Sequence, residues 1–253
     1  MNTLVFSFDN DIYGLAGKIK QDQYPLFAKM EINSKFQKDA LNKGKQLGYK
    51  TILYTNSDIF IGEADEIIKV NKKEYNYGGF WDSFKFIVLD DRNDDYLLCD
   101  PDIIFHDRIK INYEVDVIFD AWETFGWNGV YKNDIQTLTD LGIKDIIPEW
   151  INQQQHVMNC GILKFNNKDF KNLYVDKWKK LYKFCFENED KLDIRKCTPI
   201  AAQYLLTILC NHYQISRYNY SEQIRKQNNF YTHFAGDAKY QAFKANLTKN
   251  VLI

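Results

Sequence analysis

Short strand patterns alternate with helical patterns through the first 110 residues, and this alternation constrains the fold more than any other feature of the chain. Strands are predicted at four places: 3–8, 50–54, 66–70 and 96–99. Amphipathic spacing predicts a helix over 24–47, and a second helix is predicted over 79–89. Strands that are joined through helices form parallel sheets with right-handed crossovers. The pattern therefore predicts an α/β fold with a mostly parallel central sheet flanked by helices.

After residue 110 the spacing changes. Strands are predicted over 115–119 and 161–165, and helices over 170–187 and 199–209. The last of these helices is mostly apolar, which is typical of a helix that is nearly buried. No internal repeat and no linker rich in proline, glycine or serine interrupts the chain. The sequence therefore predicts a single domain over 1–253.

Composition excludes several classes of protein. The chain has 253 residues, 45% of them hydrophobic, so it can bury a large core and is not disordered. A net charge of −1 argues against a protein that binds nucleic acids. No apolar run reaches the roughly 20 residues of a membrane span, and the N-terminus lacks the basic region of a signal peptide. The five cysteines form no C-x-x-C pair, so we expect reduced thiols in a cytoplasmic protein.

Two carboxylates two residues apart, Asp100 and Asp102, follow the apolar segment 96–99. Open α/β sheets bind ligands at the carboxyl ends of their strands, where this pair is expected to lie. Oxygen donors at that spacing can hold Mg²⁺ or Mn²⁺ and leave positions free for water and phosphate oxygens. A turn that ends the strand, with one Asp capping a helix, accounts for the same residues without a ligand.

A second candidate motif is His233-x-x-Gly236-x-x-Lys239. A neutral imidazole can ligate a metal, glycine permits close approach of the backbone, and lysine can place a charge on a phosphate. The alternative is a histidine packed among the aromatic residues that surround it in the sequence.

A third candidate motif, Asn159-x-Gly161, opens the strand predicted over 161–165. This position would let the Asn159 amide bond a ligand hydroxyl. An Asn/Gly turn before the strand is the alternative.

Together, and in this order, the three motifs resemble those of the GT-A-fold glycosyltransferases. The likeness is to the retaining enzymes of glycosyltransferase family 8, which include bacterial lipopolysaccharide galactosyltransferases and glycogenin. It extends from Leu4 to Lys239. The D-x-D pair alone is unspecific, whereas the ordered set of three is more specific. The resemblance implies a Rossmann-like sheet, with 1–110 as the nucleotide-binding half and 111–253 as the sugar and acceptor half.

The resemblance assigns roles residue by residue. Asp100, Asp102 and His233 match the ligands of a Mn²⁺ (or Mg²⁺) ion held against a nucleotide diphosphate. Lys239 matches the residue that donates to the diphosphate, and Gly236 belongs to the same motif. The residues that match contacts to the nucleoside or to the donor sugar are Ser7, Asp9, Lys85, Asn159 and Gly161.

The implied activity is transfer of a hexose from a nucleotide sugar, which we expect to be UDP-linked, to a hydroxyl of a glycan, glycolipid or protein. Retention would need only an amide near the anomeric carbon, such as Asn159 or Gln203. Gln203 matches a family glutamine at that position, but the family's preceding acid is Ala202 here. Inversion would instead need a carboxylate base. The candidate bases are Asp120, Glu123, Asp134 and Glu149.

Two further segments could serve the acceptor. Aromatic residues between the two later strands could stack on sugar rings or belong to the core; these are Trp122, Trp127, Tyr131 and Trp150. The basic, aromatic segment 240–244 could contact the inner face of a membrane that carries the acceptor.

Two other classes of protein remain open. A nucleotidyltransferase on a similar sheet would also use paired aspartates, but it normally has a glycine-rich phosphate loop near the first strand. Residues 8–11 here, Phe-Asp-Asn-Asp, are not such a loop. A non-catalytic relative that binds nucleotide sugars or carbohydrates is the other alternative, and Ala202 favours it.

Overall fold

The computed structural model describes residues 2–9, 30–71, 83–124, 132–152, 156–221 and 231–233. The chain forms two compact units. The first unit contains Met1–Gly78, Asp94–Ile111 and Ile224–Ile253. The second unit contains Gly79–Asn93 and Asn112–Gln223.

The described residues form nine strands and six α-helices. The strands are β1 (Thr3–Phe8), β2 (Lys50–Thr55), β3 (Glu66–Lys69), β4 (Leu97–Cys99), β5 (Ile103–Phe105), β6 (Val117–Thr124), β7 (His156–Phe165), β8 (Arg217–Asn219) and β9 (Tyr231–His233). The helices are α1 (Met30–Gln46), α2 (Ser83–Asp91), α3 (Lys132–Asp140), α4 (Lys168–Glu187), α5 (Ile194–Pro199) and α6 (Leu205–His212). A π-helical turn, Ile200–Tyr204, joins α5 to α6.

In the first unit, four parallel strands lie in the order β3-β2-β1-β4. Helix α1 approaches the sheet closely at Gly44, where an added Cβ would lie 3.1 Å from side-chain atoms of Leu4 and Thr51. Gly48, with a φ of 76°, ends the helical segment in the left-handed conformation that glycine adopts without strain. Strands β5 and β9 form a separate antiparallel pair. Because β1, β2 and β4 are parallel, their carboxyl ends share one edge of the sheet.

In the second unit, β6 pairs with β7 in antiparallel fashion and with β8 in parallel fashion. Helix α4 begins after Asn167, whose side chain accepts a hydrogen bond from Phe170 N. The ring of Phe86 on α2 stacks on Trp178 of α4 at 3.9 Å between centroids. The Nζ of buried Lys171 donates to the carbonyls of Leu89 and Arg92 at the end of α2.

The predicted α/β fold with a mostly parallel sheet and flanking helices is confirmed. Several element bounds differ from the prediction. The strand predicted over 161–165 begins earlier, at His156, so Asn159 and Gly161 lie within β7 and do not open it. The helix predicted over 199–209 is interrupted by the π-helical turn. No helix among the described residues is long and apolar enough to cross a membrane.

Candidate functional site

Asp100, Asp102 and His233 converge in the first unit. One potential ligand atom from each lies within 4.8 Å of the others. Asp100 follows β4 at the carboxyl edge of the sheet, and a turn closed by Ile103 N on Asp100 O carries the chain into β5. His233 reaches the turn because it pairs with Ile103 across the β5–β9 ladder. Its Nε2 lies 3.7 Å from Oδ1 of Asp102, which is buried.

This donor set fits a divalent cation. Carboxylate oxygens and an imidazole nitrogen suit Mn²⁺, and carboxylates also suit Mg²⁺. An ion with ligands at about 2.1–2.6 Å needs those ligand atoms within about 5 Å of each other, and the group meets that condition. Two carboxylates with oxygens within 4.8 Å of each other repel, and a bound cation would offset that repulsion. The residues predicted as metal ligands are thus brought together by the fold.

Ser7 and Asp9, predicted to contact the nucleoside, lie near the same edge of the first unit. Phe6 pairs with Cys99 on the neighbouring strand, so Ser7 is level with Asp100 along the sheet. Asp9 is buried, and its Oδ1 accepts a hydrogen bond from Asn56 Nδ2 at 3.1 Å. Asn56 was not among the residues predicted for the site. Its place after β2 was the available signal, because strands that run in parallel end at a shared edge.

Asn159 and Gly161 lie at a β-bulge in the second unit. Asn159 pairs with Ala121 and Leu163 with Phe119, so three residues of β7 lie opposite the single residue Asp120 of β6. Such a bulge removes backbone groups from the ladder and bends the strand, and bulges are common beside active sites.

Side chains satisfy the backbone groups that the bulge releases. Gly161 N donates to Asn159 Oδ1 at 2.7 Å, and Lys85 Nζ donates to Cys160 O at 3.2 Å. Asn159 Nδ2 in turn donates to Glu123 Oε1 at 2.5 Å. Lys85 is itself buried. Lys85 and Asn159, both predicted to contact the donor, therefore bond the bulged strand in this structure.

Gln203 lies on the π-helical turn, which is linked to β7 beside the bulge. Thr207 Oγ1 donates to Gln203 O at 2.8 Å and accepts from Met158 N at 2.9 Å. The Oε1 atom of Gln203 is buried without a hydrogen-bond partner among the described residues. Single π-helical turns are frequent at functional sites, and an unpaired buried acceptor needs an explanation. Ala202, the departure from the family pattern, is buried.

The carboxylates considered as bases have varied surroundings. Asp120 is buried, and Glu123 is bonded to Asn159. Burial raises the pKa of Asp134. Burial opposes ionisation of Glu149, but hydrogen bonds from Lys177 and Tyr213 outweigh it and lower the pKa of Glu149 below its ordinary value. Glu149 thus forms an ion pair with Lys177, at 2.8 Å, which holds its carboxylate inside the fold.

The remaining predicted residues include two described tryptophans, Trp150 and Trp122, and several residues that lie outside the described part of the chain. Trp150 is 1% exposed and packs edge-on against Tyr204, so it belongs to the core and does not form a stacking surface. Trp122 is half-buried beneath the guanidinium of Arg217. The predictions that lie outside the described residues concern Trp127, Tyr131, Gly236, Lys239 and the segment 240–244.

No protein-family model and no curated protein sequence matches the chain. One solved structure that is similar to this chain is that of the galactosyltransferase LgtC in complex with donor and acceptor sugar analogues. The two chains are 13% identical with a TM-score of 0.49, and the match covers 99% of this chain and 95% of LgtC.

Two structures of the glycosyltransferase GlyE from Streptococcus pneumoniae TIGR4 are also similar. Each is 12% identical to this chain, with TM-scores of 0.40 and, for the apo form, 0.46. The matches cover 98% and 99% of this chain but only 51% and 62% of GlyE. This chain therefore spans roughly half to three-fifths of GlyE. These similar structures are glycosyltransferases, the class that the sequence resembles.

Proposed function

We propose that the protein is a glycosyltransferase that moves a hexose from a nucleotide sugar, expected to be UDP-linked, to a hydroxyl of a glycan, lipid or protein. The observation that carries this proposal is the convergence of Asp100, Asp102 and His233 near the carboxyl edge of the parallel sheet in the first unit. Ser7 and Asp9 near the same edge suit the nucleoside part of such a donor. Together these residues support a nucleotide diphosphate as the group that is bound there.

Breaking the bond between a sugar and a diphosphate builds negative charge on the leaving group and positive charge on the sugar. A divalent cation on Asp100, Asp102 and His233 would supply Lewis-acid stabilisation of the leaving phosphate. Asp9, held by Asn56, offers a carboxylate oxygen to hydroxyls of the ribose. No protein acid is needed to protonate the diphosphate.

The family resemblance assigns amide side chains, those of Asn159 and Gln203, to the donor sugar. The Oε1 atom of Gln203, which has no hydrogen-bond partner among the described residues, carries a partial negative charge of the kind that would stabilise the positive charge developing on the sugar. Asn159 has a fixed orientation, because Glu123 and Gly161 hold both ends of its amide. An amide in place of a carboxylate base favours retention, which nuclear magnetic resonance of the product anomer would test.

The decisive experiment measures UDP release from UDP-sugars with and without Mn²⁺. Asp100→Asn and Asp102→Asn should each abolish metal-dependent release, because each removes one charged ligand while leaving its side chain almost unchanged in size. Asp107→Asn is the matched control, since Asp107 is an exposed acid of the same unit and should be dispensable. Full activity in both ligand variants would contradict the proposal.

The same assay separates the alternative classes. A nucleotidyltransferase would form pyrophosphate from UTP, and a non-catalytic relative would bind a nucleotide sugar without releasing UDP. A thermal-shift screen of nucleotide sugars identifies the donor, because a ligand that binds only the folded state raises Tm.

A further inference from the structure

The third proposed metal ligand, His233, lies at the end of a very short strand. Strand β9 has three residues, which pair with the three residues of β5. A two-stranded ladder of this length is marginally stable by itself. The position of His233 therefore depends on the other contacts that fix β9.

Side chains fix β9 on both faces of the ladder. On one face, the rings of Tyr231 and Phe105 pack with centroids 6.1 Å apart. Thr232 points to the opposite face, because successive side chains of a strand alternate. There its Oγ1 lies 2.7 Å from Nε2 of His106, the residue that follows β5. This hydrogen bond ties the middle of β9 to the segment that leaves β5.

His106 is suited to such a bond. Burial lowers the pKa of His106, and the charge of Lys43 lowers it further, so the neutral ring is favoured. A neutral imidazole and a hydroxyl can each donate or accept, so the pair is satisfied in either orientation. The chain after His106 is anchored as well, because Ile109 N donates to the hydroxyl of Tyr49 at 2.7 Å.

We propose that His106 is a positioning residue for metal binding. Its hydrogen bond to Thr232 holds β9 in register, so that His233 stays beside Asp102. The proposal rests on the proposed function, since it takes the three converging residues as the ligands of the cation. His106 acts through Thr232 and needs no contact with the ion or the substrate. Without the bond, β9 can shift, and the affinity for the metal should fall.

The test is a double-mutant cycle on the full chain, with affinity for Mn²⁺ alone measured by titration calorimetry. His106→Ala and Thr232→Val each remove one side of the hydrogen bond, and each should weaken Mn²⁺ binding about fivefold. The double variant should bind no more weakly than either single variant, because both changes remove the same interaction. Thr232→Ser keeps the hydroxyl, and His106→Gln keeps a polar group of similar reach, so both should bind nearly as the wild type does.

Lys171→Met, in the other unit, is the control that distinguishes a general loss of stability from a specific loss of metal affinity. This variant loses the buried bonds to the end of α2, so it should lower Tm while leaving Mn²⁺ affinity unchanged. Wild-type affinity in His106→Ala, or additive effects in the double variant, would overturn the role of His106. If the wild type binds no Mn²⁺, or binds it equally well after Asp102→Asn, the proposed function itself fails.

Discussion

The two groups of candidate residues use their polar atoms in opposite ways. In the first unit, one potential ligand atom from each of Asp100, Asp102 and His233 lies within 4.8 Å of the others. In the second unit, Lys85 and Asn159 direct their side chains into the fold and bond a bulged strand. The first arrangement is suited to hold a ligand, and the second to hold a backbone in an irregular shape.

This difference shows why matching a family motif does not by itself assign a role. Like charges that are brought together raise the free energy of the folded state, and a bound cation offsets that cost. A bulge has the opposite requirement, because the backbone groups that it releases need partners inside the protein. Lys85 and Asn159 supply such partners. We therefore expect the first group to bind metal directly, and the second to shape β7 and so fix the orientation of the Asn159 amide.

The largest expected effect is on the affinity for Mn²⁺, which should differ between variants of the two groups. His233→Ala removes a ligand and should weaken Mn²⁺ binding at least about a hundredfold, whereas Asn159→Ala should leave Mn²⁺ affinity unchanged. Titration calorimetry with Mn²⁺ measures both. A comparable loss of affinity in the two variants would show that the groups do not differ in this way.

The next effect concerns stability. Lys85→Met leaves the buried carbonyl of Cys160 without its charged donor and should lower the free energy of unfolding by about 2–3 kcal/mol. Lys179→Met is the control, because its pair with Asp90 is exposed on both sides and should contribute less than about 1 kcal/mol. Urea denaturation measures both variants. Unchanged stability of Lys85→Met, together with a raised KM for the donor, would show instead that Lys85 serves the substrate.

Local sequence patterns predicted part of the fold and of the candidate site, and left other parts unpredicted. Short apolar strands that alternate with helices usually form a parallel sheet. The place of Asp100 at the end of β4 was therefore predicted from the local pattern. The bulge opposite Asp120 and the π-helical turn at Ile200–Tyr204 were not predicted, because neither changes the local apolar pattern enough to be recognised. The meeting of His233 with the aspartates followed only from the family resemblance, since nothing local signals that β9 pairs with β5.

A smaller effect tests the support of Asn159. Glu123→Gln keeps an acceptor oxygen for the Asn159 amide but removes the charge, and a hydrogen bond to a charged group is stronger than one to a neutral group. We expect unfolding free energy to fall by about 1 kcal/mol and sugar transfer to slow, with Mn²⁺ affinity unchanged. Glu114→Gln is the matched control, because Glu114 is an exposed acid of the same unit. Equal transfer rates in the two variants would show that Asn159 does not depend on Glu123.

The smallest effect on stability is expected at Gln203, where stability and activity should diverge. Its Oε1 is buried without a partner among the described residues, so Gln203→Met removes an unsatisfied acceptor and should leave unfolding free energy unchanged or raise it by up to about 1 kcal/mol. Transfer should nevertheless slow, because the proposed function gives this oxygen a role at the sugar. Gln37, on α1 of the first unit, has both polar side-chain atoms buried without a partner in the described part of the chain, so Gln37→Met should stabilise the protein similarly and leave transfer unchanged. Equal transfer by both variants would mean that the acceptor of Gln203 is only a packing defect. Slow transfer by Gln203→Met alone would mean that the fold retains this unpaired oxygen for the reaction.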